Sequence, residues 1–209
     1  MNLTWLGHAS FRLECGQVVY FDPYKVALGK DADIVLVSHG HFDHLDQASI
    51  DSVGGGNAVI LCPESCIEKV EGNVSALSPG ESITVGGVRV EAHPAYNTNK
   101  SNHLIGDGVG WVVEAEGKRV YFAGDTDRIP EMRELGRVDV ALLPVCGKYM
   151  MDWSEAADAV ADIKPRIAVP MHYGSVIGTL SDAVKFKKKV DVGKTAEVRI
   201  IPRGESIEF

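Results

Sequence analysis

The stretch Val35–Asp46, VLVSHGHFDHLD, places three histidines and two aspartates directly behind an apolar run. In an extended chain residues two apart face the same side, so His39, His41 and Asp43 share a face and His44 follows at once. Neutral imidazoles and a carboxylate are the ligands that divalent transition metals take where cysteine is absent. The chain has 7 histidines, and three of them fall within six consecutive positions here. A surface loop that is merely polar does not account for that concentration.

One metal ion needs about four ligands. Further candidates stand where apolar runs end: His93 after VRVEA, Asp125 after VYFAG and His172 after IAVPM. A lone histidine in such a place is more often structural, but three such positions plus the loop could converge on one edge of the sheets. Asp22, at the end of VVYFDP, suits an orienting role, since a metal-bound imidazole donates its second N–H to a carboxylate or carbonyl. A turn aspartate before Pro23 is the equal alternative. His8, in LGHAS, and His103, in the polar stretch NTNKSNHLIGDG, could each protonate a leaving group or bind an anion. Of these, His103 is read with Asp43 as catalytic and His8 as a substrate contact, with Asn97, Lys100 and Tyr149 as weaker substrate contacts. The stretch holding His103 reads as a flap over a cleft.

Apolar alternation and punctuation predict the elements that must carry these groups. LTWLG, FRLEC, VVYFD and DIVLVS read as successive strands. QASIDSVG and CPESCIEKVEG read as short helices or helical turns, with AVIL as a strand between them. ESITVGGVRVEAH predicts a hairpin turning at Gly86 and Gly87, and GVGWVVEAEGKRVYFAGD a second one near Gly117. DVALLPV and RIAVPM are strands. MDWSEAADAVADIKP is a helix with capping-box spacing at Asp152 and Glu155 and a stop at Pro165. TLSDAVKFKKKV is a second helix, and AEVRIIP a closing strand. VVYFDP and RVYFAGD echo each other, each a strand delivering an aspartate. Strand-rich halves that each finish in helices predict two packed sheets with helices outside.

The 209 residues, 45% hydrophobic and 24% charged, suffice for one sizeable core, and no linker divides them. The expectation is one domain over 1–209. No apolar run approaches the roughly 20 residues of a membrane-spanning helix, so no membrane partner is expected. MNLTWLGHASF lacks the pattern of a secretory signal, which makes the cytoplasm the expected compartment. A formal charge of −8 argues against tracking a nucleic-acid backbone, and Lys185–Lys189 reads as the wet face of a helix. The 4 cysteines include Cys62 and Cys66 as C-x-x-x-C, but no second pair completes a structural zinc site. There is no G-x-S-x-G elbow and no P-loop. Oligomeric state is open, a homo-oligomer included.

SHGHFDH, then His93, GDTD and PMHYG, resembles the metallo-β-lactamase superfamily in its usual order, over nearly the whole chain. WLGHASF and MHYG resemble its small, lactonase-like metal-dependent hydrolases. The resemblance implies an α/β protein, an αββα sandwich of two mixed β-sheets with helices outside, and a two-metal site at one edge. It implies that His39, His41 and His93 hold one ion, that Asp43, His44 and His172 hold the other, and that Asp125 bridges them. Asp125 stands where some lactamases have cysteine. His41 stands where the flavodiiron oxidoreductases of the superfamily have an acidic residue, which argues against redox chemistry.

The implied cofactors are two divalent ions, zinc first, with manganese, iron and nickel also suited. Two such ions can share a water and bring its ionisation toward neutral pH. The leading expectation is therefore a hydrolase in which a metal-bridging hydroxide attacks an ester-type bond of a small anionic metabolite, whether phosphoester, lactone or thioester. The alternatives are a non-hydrolytic metabolite-binding or sensing protein and an iron-dependent dioxygenase on the same fold.

Overall fold

The computed structural model describes residues 1–26, 29–54 and 56–209. The first apolar runs form β1 (Asn2–Gly7), β2 (Ser10–Glu14), β3 (Val18–Phe21), β4 (Ile34–Leu36), β5 (Val59–Cys62) and β6 (Asn73–Ala76). The two predicted hairpins supply β7 (Ser82–Val85), β8 (Val88–Ala95), β9 (Gly108–Ala115) and β10 (Lys118–Phe122). Then follow β11 (Val140–Pro144), β12 (Ile167–Met171), β13 (Glu197–Val198) and β14 (Ser206–Glu208). Gly86 and Gly87 both take positive φ, 56° and 87°, which a two-residue hairpin turn requires and a side chain resists.

These strands build two seven-stranded sheets, ordered β14-β1-β2-β3-β4-β5-β6 and β13-β12-β11-β10-β9-β8-β7. Both follow one plan. An antiparallel meander, β1-β2-β3 or β8-β9-β10, is continued by three parallel strands, β4-β5-β6 or β11-β12-β13. One more strand, β14 or β7, closes the free side of each meander antiparallel. The echo between VVYFDP and RVYFAGD thus marks equivalent strands, β3 and β10. Their last residues, Phe21 and Phe122, stack across the two sheets with centroids 5.2 Å apart.

The inner faces meet in a core that includes Leu3, Phe11, Leu13, Val90, Trp111 and Val113, all buried. Each such large side chain stabilises the fold by about 1.5–3 kcal/mol on leaving water. On the outer side of the first sheet, helix α1 (Gln47–Gly54) and a 3-10 turn at Glu64–Lys69 cover Tyr20, Val35 and Ile60. Against the second sheet lie α2 (Trp153–Ile163) and α3 (Leu180–Gly193). Asp152 caps α2 by accepting from Ser154 and Glu155 N–H, but Glu155 does not complete a box, because its carboxylate accepts from Arg128 N–H instead. A reciprocal box is made at α3, by Thr179 and Asp182. Phe186 of the lysine-rich stretch is buried, and Lys189 pairs with Asp158 at 2.6 Å.

One predicted element comes out differently, and one strand forms that was not predicted. The closing run AEVRIIP pairs only over Glu197–Val198, and the chain then returns to the first sheet as β14, which no apolar run announces. Among the described residues no helix is long and apolar enough to cross a membrane.

Candidate metal centre

Open α/β sheets place their functional groups beyond the carboxyl ends of parallel strands. Here both sheets do so toward a common edge. β3 ends into Asp22, β4 into Ser38–His44, β10 into Asp125 and β12 into His172. β1, which runs with β3, ends into His8, whose carbonyl accepts from His172 N–H at 2.9 Å across the two sheets. Seven non-glycine residues among those described have positive φ, and His8, Asp22 and His172 are three of them. Such strain costs about 1–3 kcal/mol each and is held only where the surroundings impose it.

The side chains fall into two groups. His39, His41 and His103 form one, with His39 Nε2 2.9 Å and His103 Nε2 3.1 Å from His41 Nδ1. Asp43, His44 and His172, with His8, form the other, His44 Nε2 lying 3.2 Å from His172 Nε2. Between them stands Asp125. Its Oδ2 is 3.4 Å from His103 Nε2 and 3.8 Å from His39 Nε2 on one side, and 3.4 Å from His44 Nε2 and 3.3 Å from His172 Nε2 on the other. Its Oδ1 is buried with no hydrogen-bond partner.

The outward nitrogens fix which way the lone pairs point. His44 Nδ1–H donates to Asp22 Oδ2 at 2.6 Å, and Ser38 N–H donates to Asp22 Oδ1. The Ser38 hydroxyl donates to Asp22 Oδ2 and lies 3.0 Å from His39 Nδ1, whose N–H it can accept. His103 Nδ1–H donates to the Tyr149 carbonyl at 3.1 Å. Neutral His39, His44 and His103 therefore aim Nε2 lone pairs inward. His39 Nε2 and His103 Nε2 both face His41 Nδ1, at 2.9 and 3.1 Å, and a single N–H on that nitrogen could satisfy only one of them, whereas a cation at their middle satisfies all three. Two nitrogens bound to one tetrahedral zinc ion stand about 3.3 Å apart. The donor set, with the orphaned Asp125 Oδ1, fits divalent metal.

Charge is arranged to match. Burial alone would push the Asp125 carboxyl up, but His172 and His44 outweigh it and hold its pKa well below the usual range. Burial opposes charge on His172 as well, yet the facing Asp125 wins and lifts its pKa to about 9. His44, buried between Asp125 and Asp22, is likewise held well above the ordinary imidazole value. Burial carries His39 the other way, well below it.

The structure thus gathers His39, His41, Asp43, His44, Asp125 and His172, with Asp22 behind them, but it does not bring His93 to them. That expectation is corrected. Along β8 side chains alternate, and His93 shares the outer face with Arg89 and Glu91, while Val88, Val90 and Ala92 point into the core. His93 Nε2 contacts Glu91 at 3.3 Å. The third imidazole of its group is His103, from the loop between β8 and β9, buried to 3% exposure and no flap residue. With Nδ1 on Tyr149 and Nε2 in the cluster, His103 has no nitrogen left to serve a substrate as an acid.

The remaining substrate candidates are also placed differently from their expectation, Tyr149 excepted. His8 is buried, its Nε2 3.0 Å from Asp43 Oδ2, so it braces a carboxylate rather than meeting a ligand. Asn97 accepts from His103 backbone N–H at 3.0 Å and donates to Asp127 at 3.2 Å, and Lys100 pairs with Asp127. Asp127, which sequence reasoning passed over, is fully buried and accepts from Thr98 N–H at 2.9 Å as well. It ties down the loop that carries His103. The one available signal was its place in GDTD, two residues after Asp125. Tyr149 lines the cleft above the cluster with Phe42, Asp43 and Val176.

The family model of the β-lactamase superfamily domain matches residues 2–172. A UPF0173 metal-dependent hydrolase of Methanopyrus kandleri is 37% identical over 232 aligned positions, which take in 100% of both chains. Among solved structures, a metal-dependent hydrolase from Parabacteroides distasonis superposes with a TM-score of 0.84 at 33% identity, covering 95% of this chain and 91% of that one. A metallo hydrolase from Ignicoccus hospitalis gives 0.83 at 29% identity, covering 100% and 98%.

Proposed function

The chain belongs to the β-lactamase superfamily as a metal-dependent hydrolase, and from that premise we propose that it adds water across an ester-type bond of a small molecule at a two-metal centre. The observation that carries this reading is the position of Asp125 Oδ2, 3.3–3.8 Å from imidazole nitrogens of both ligand groups at once. His39, His41 and His103 would hold one ion, Asp43, His44 and His172 the other, and Asp125 would be shared. Zinc suits this nitrogen and oxygen set best, with manganese, iron and nickel next. Bound there, two such ions bring the ionisation of water toward neutral pH and polarise a carbonyl or phosphoryl oxygen.

The chain's own residues supply the rest. Asp22 fixes His44 directly and His39 through Ser38, so the inward nitrogens keep one orientation through turnover. Asp43 lines the cleft while His8 braces its Oδ2 from behind. Asp43 would take the proton of the attacking water and return it to the leaving atom. The water oxygen joins the electrophilic carbon or phosphorus, the bond to the leaving oxygen or sulfur breaks, and that atom receives the proton. Phe42, Val176 and Ile177 line the cleft beside Asp43 and would face the apolar part of a substrate.

The test is a screen of generic phosphodiester, lactone and thioester substrates with zinc- or manganese-loaded protein, beside Asp125→Asn. Turnover that falls at least about 100-fold in a folded Asp125→Asn supports the hydrolase. Tight metabolite binding without turnover on any bond class would contradict it and favour a sensor.

A further inference from the structure

The cleft over the cluster has two arms of opposite character that meet at His41, Asn102 and His103. One arm, about 220 Å³, runs over Asp43 and His172 and is walled by Phe42, Val176 and Ile177. Phe42 is 66% exposed and Val176 39%, in a chain whose other large apolar side chains are mostly buried. Apolar surface gathered at the mouth of a polar centre marks a place where something apolar is received.

The other arm, also about 220 Å³, runs past His39 and is lined by Ser65, Lys69 and Asp107. The Lys69 ammonium leans over Gly40 of the metal-binding loop, so closely that a Cβ there would come within 3.0 Å of Nζ. Among the described residues no carboxylate lies within 4.0 Å of Lys69 Nζ. Asp107 turns its Oδ2 to Leu104 N–H at 3.1 Å, and its carbonyl accepts from the Ser65 hydroxyl. Other cations near the cleft are engaged elsewhere. Lys100 pairs with buried Asp127, and Lys148 sits 4.9 Å over the Tyr149 ring. Among the described residues that line the two arms, Lys69 is the one lysine, and it stands on the arm opposite the apolar walls.

We propose that the substrate is an amphiphile that lies across the centre, with an apolar group against Phe42 and Val176, an anionic group beside Lys69, and the hydrolysable bond between them. This rests on the metal-centre reading and names the substrate class for it. An anion at Lys69 gains a charge-assisted contact. An apolar group at Phe42 gains by removing surface from water on both sides. Each end alone leaves one arm unused, so selectivity comes from requiring both.

Binding of non-hydrolysable hydroxamates to the zinc-loaded full chain, measured by calorimetry, tests this. Four probes separate the terms: acetohydroxamate, octanohydroxamate, N-(carboxymethyl)acetohydroxamate and N-(carboxymethyl)octanohydroxamate. The expected result is a gain of roughly tenfold for each added end, with the double-ended probe tightest. Phe42→Ala abolishes the gain from the octanoyl chain and keeps that from the carboxylate. Lys69→Gln does the reverse. Acetohydroxamate binding with no gain from either end, or variants that weaken all four probes equally, overturns the amphiphile proposal and leaves the metal centre standing. Failure of acetohydroxamate itself to bind overturns both.

Discussion

His103 and His93 lie within ten positions of each other on the chain and in different chemical worlds. His103 is buried with a backbone carbonyl fixing its outer nitrogen, while His93 sits on the outer face of β8 against Glu91. His103→Ala should therefore lower bound metal, by up to one equivalent per chain, since that ion keeps only His39, His41 and the shared Asp125 of its four protein ligands, and His93→Ala should leave the metal content unchanged, as read by elemental analysis of the purified proteins. Equal metal loss in both would contradict the ligand set. Proton competition gives a second expectation at this scale. His172, with its pKa lifted to about 9 beside Asp125, carries a proton at pH 7 that a metal ion must displace. Metal uptake by the metal-free protein should release protons, and affinity should rise as pH rises toward that value. Calorimetric zinc titrations in buffers of different ionisation heat measure the release, and heats independent of buffer would contradict it. Most of the cluster was legible because metal-binding side chains crowd one short stretch or follow apolar runs. His93 misled because it also ends a run; the alternation Val88, Val90, Ala92 against Arg89, Glu91, His93 already places it on the wet face.

Each element earns its role through where it ends. Strands β3, β4, β10 and β12 deliver Asp22, the His39–His44 loop, Asp125 and His172 to one edge because they are parallel within their sheets. These strands were readable as apolar runs bounded by turn residues. The loop between β8 and β9 was not, since it has no period and its order comes from a buried anchor distant in sequence. Asp127 accepts from Asn97, Thr98 and Lys100 and so holds the segment in which Asn97 receives the His103 backbone N–H. Asp127→Ala should cost about 10–100-fold in affinity for one of two ions, the usual cost of losing a group that orients a ligand. Competition with a chelator measures this, and unchanged affinity would show that the loop holds His103 without that anchor. A contact distant in sequence decided the cap: Asp152 and Glu155 have box spacing, but Arg128 N–H, 27 residues away, claims the Glu155 carboxylate.

At the scale of the whole molecule, one strand plan is used twice, and the two copies face each other with Phe21 stacked on Phe122. The echo of VVYFDP in RVYFAGD was the visible trace of that repetition, and the place of β14 beside β1 was hidden because three residues carry no period. The consequence is functional, since equivalent strands end in Asp22 and Asp125, one behind the cluster and one at its middle. Neither sheet alone holds the ligands of both groups. The most direct measurement is anomalous diffraction at the zinc edge from crystals of the zinc-loaded protein. Two peaks are predicted, one among His39, His41 and His103 and one among Asp43, His44 and His172, with Asp125 touching both. A peak at His93, or none within the cluster, would contradict the account.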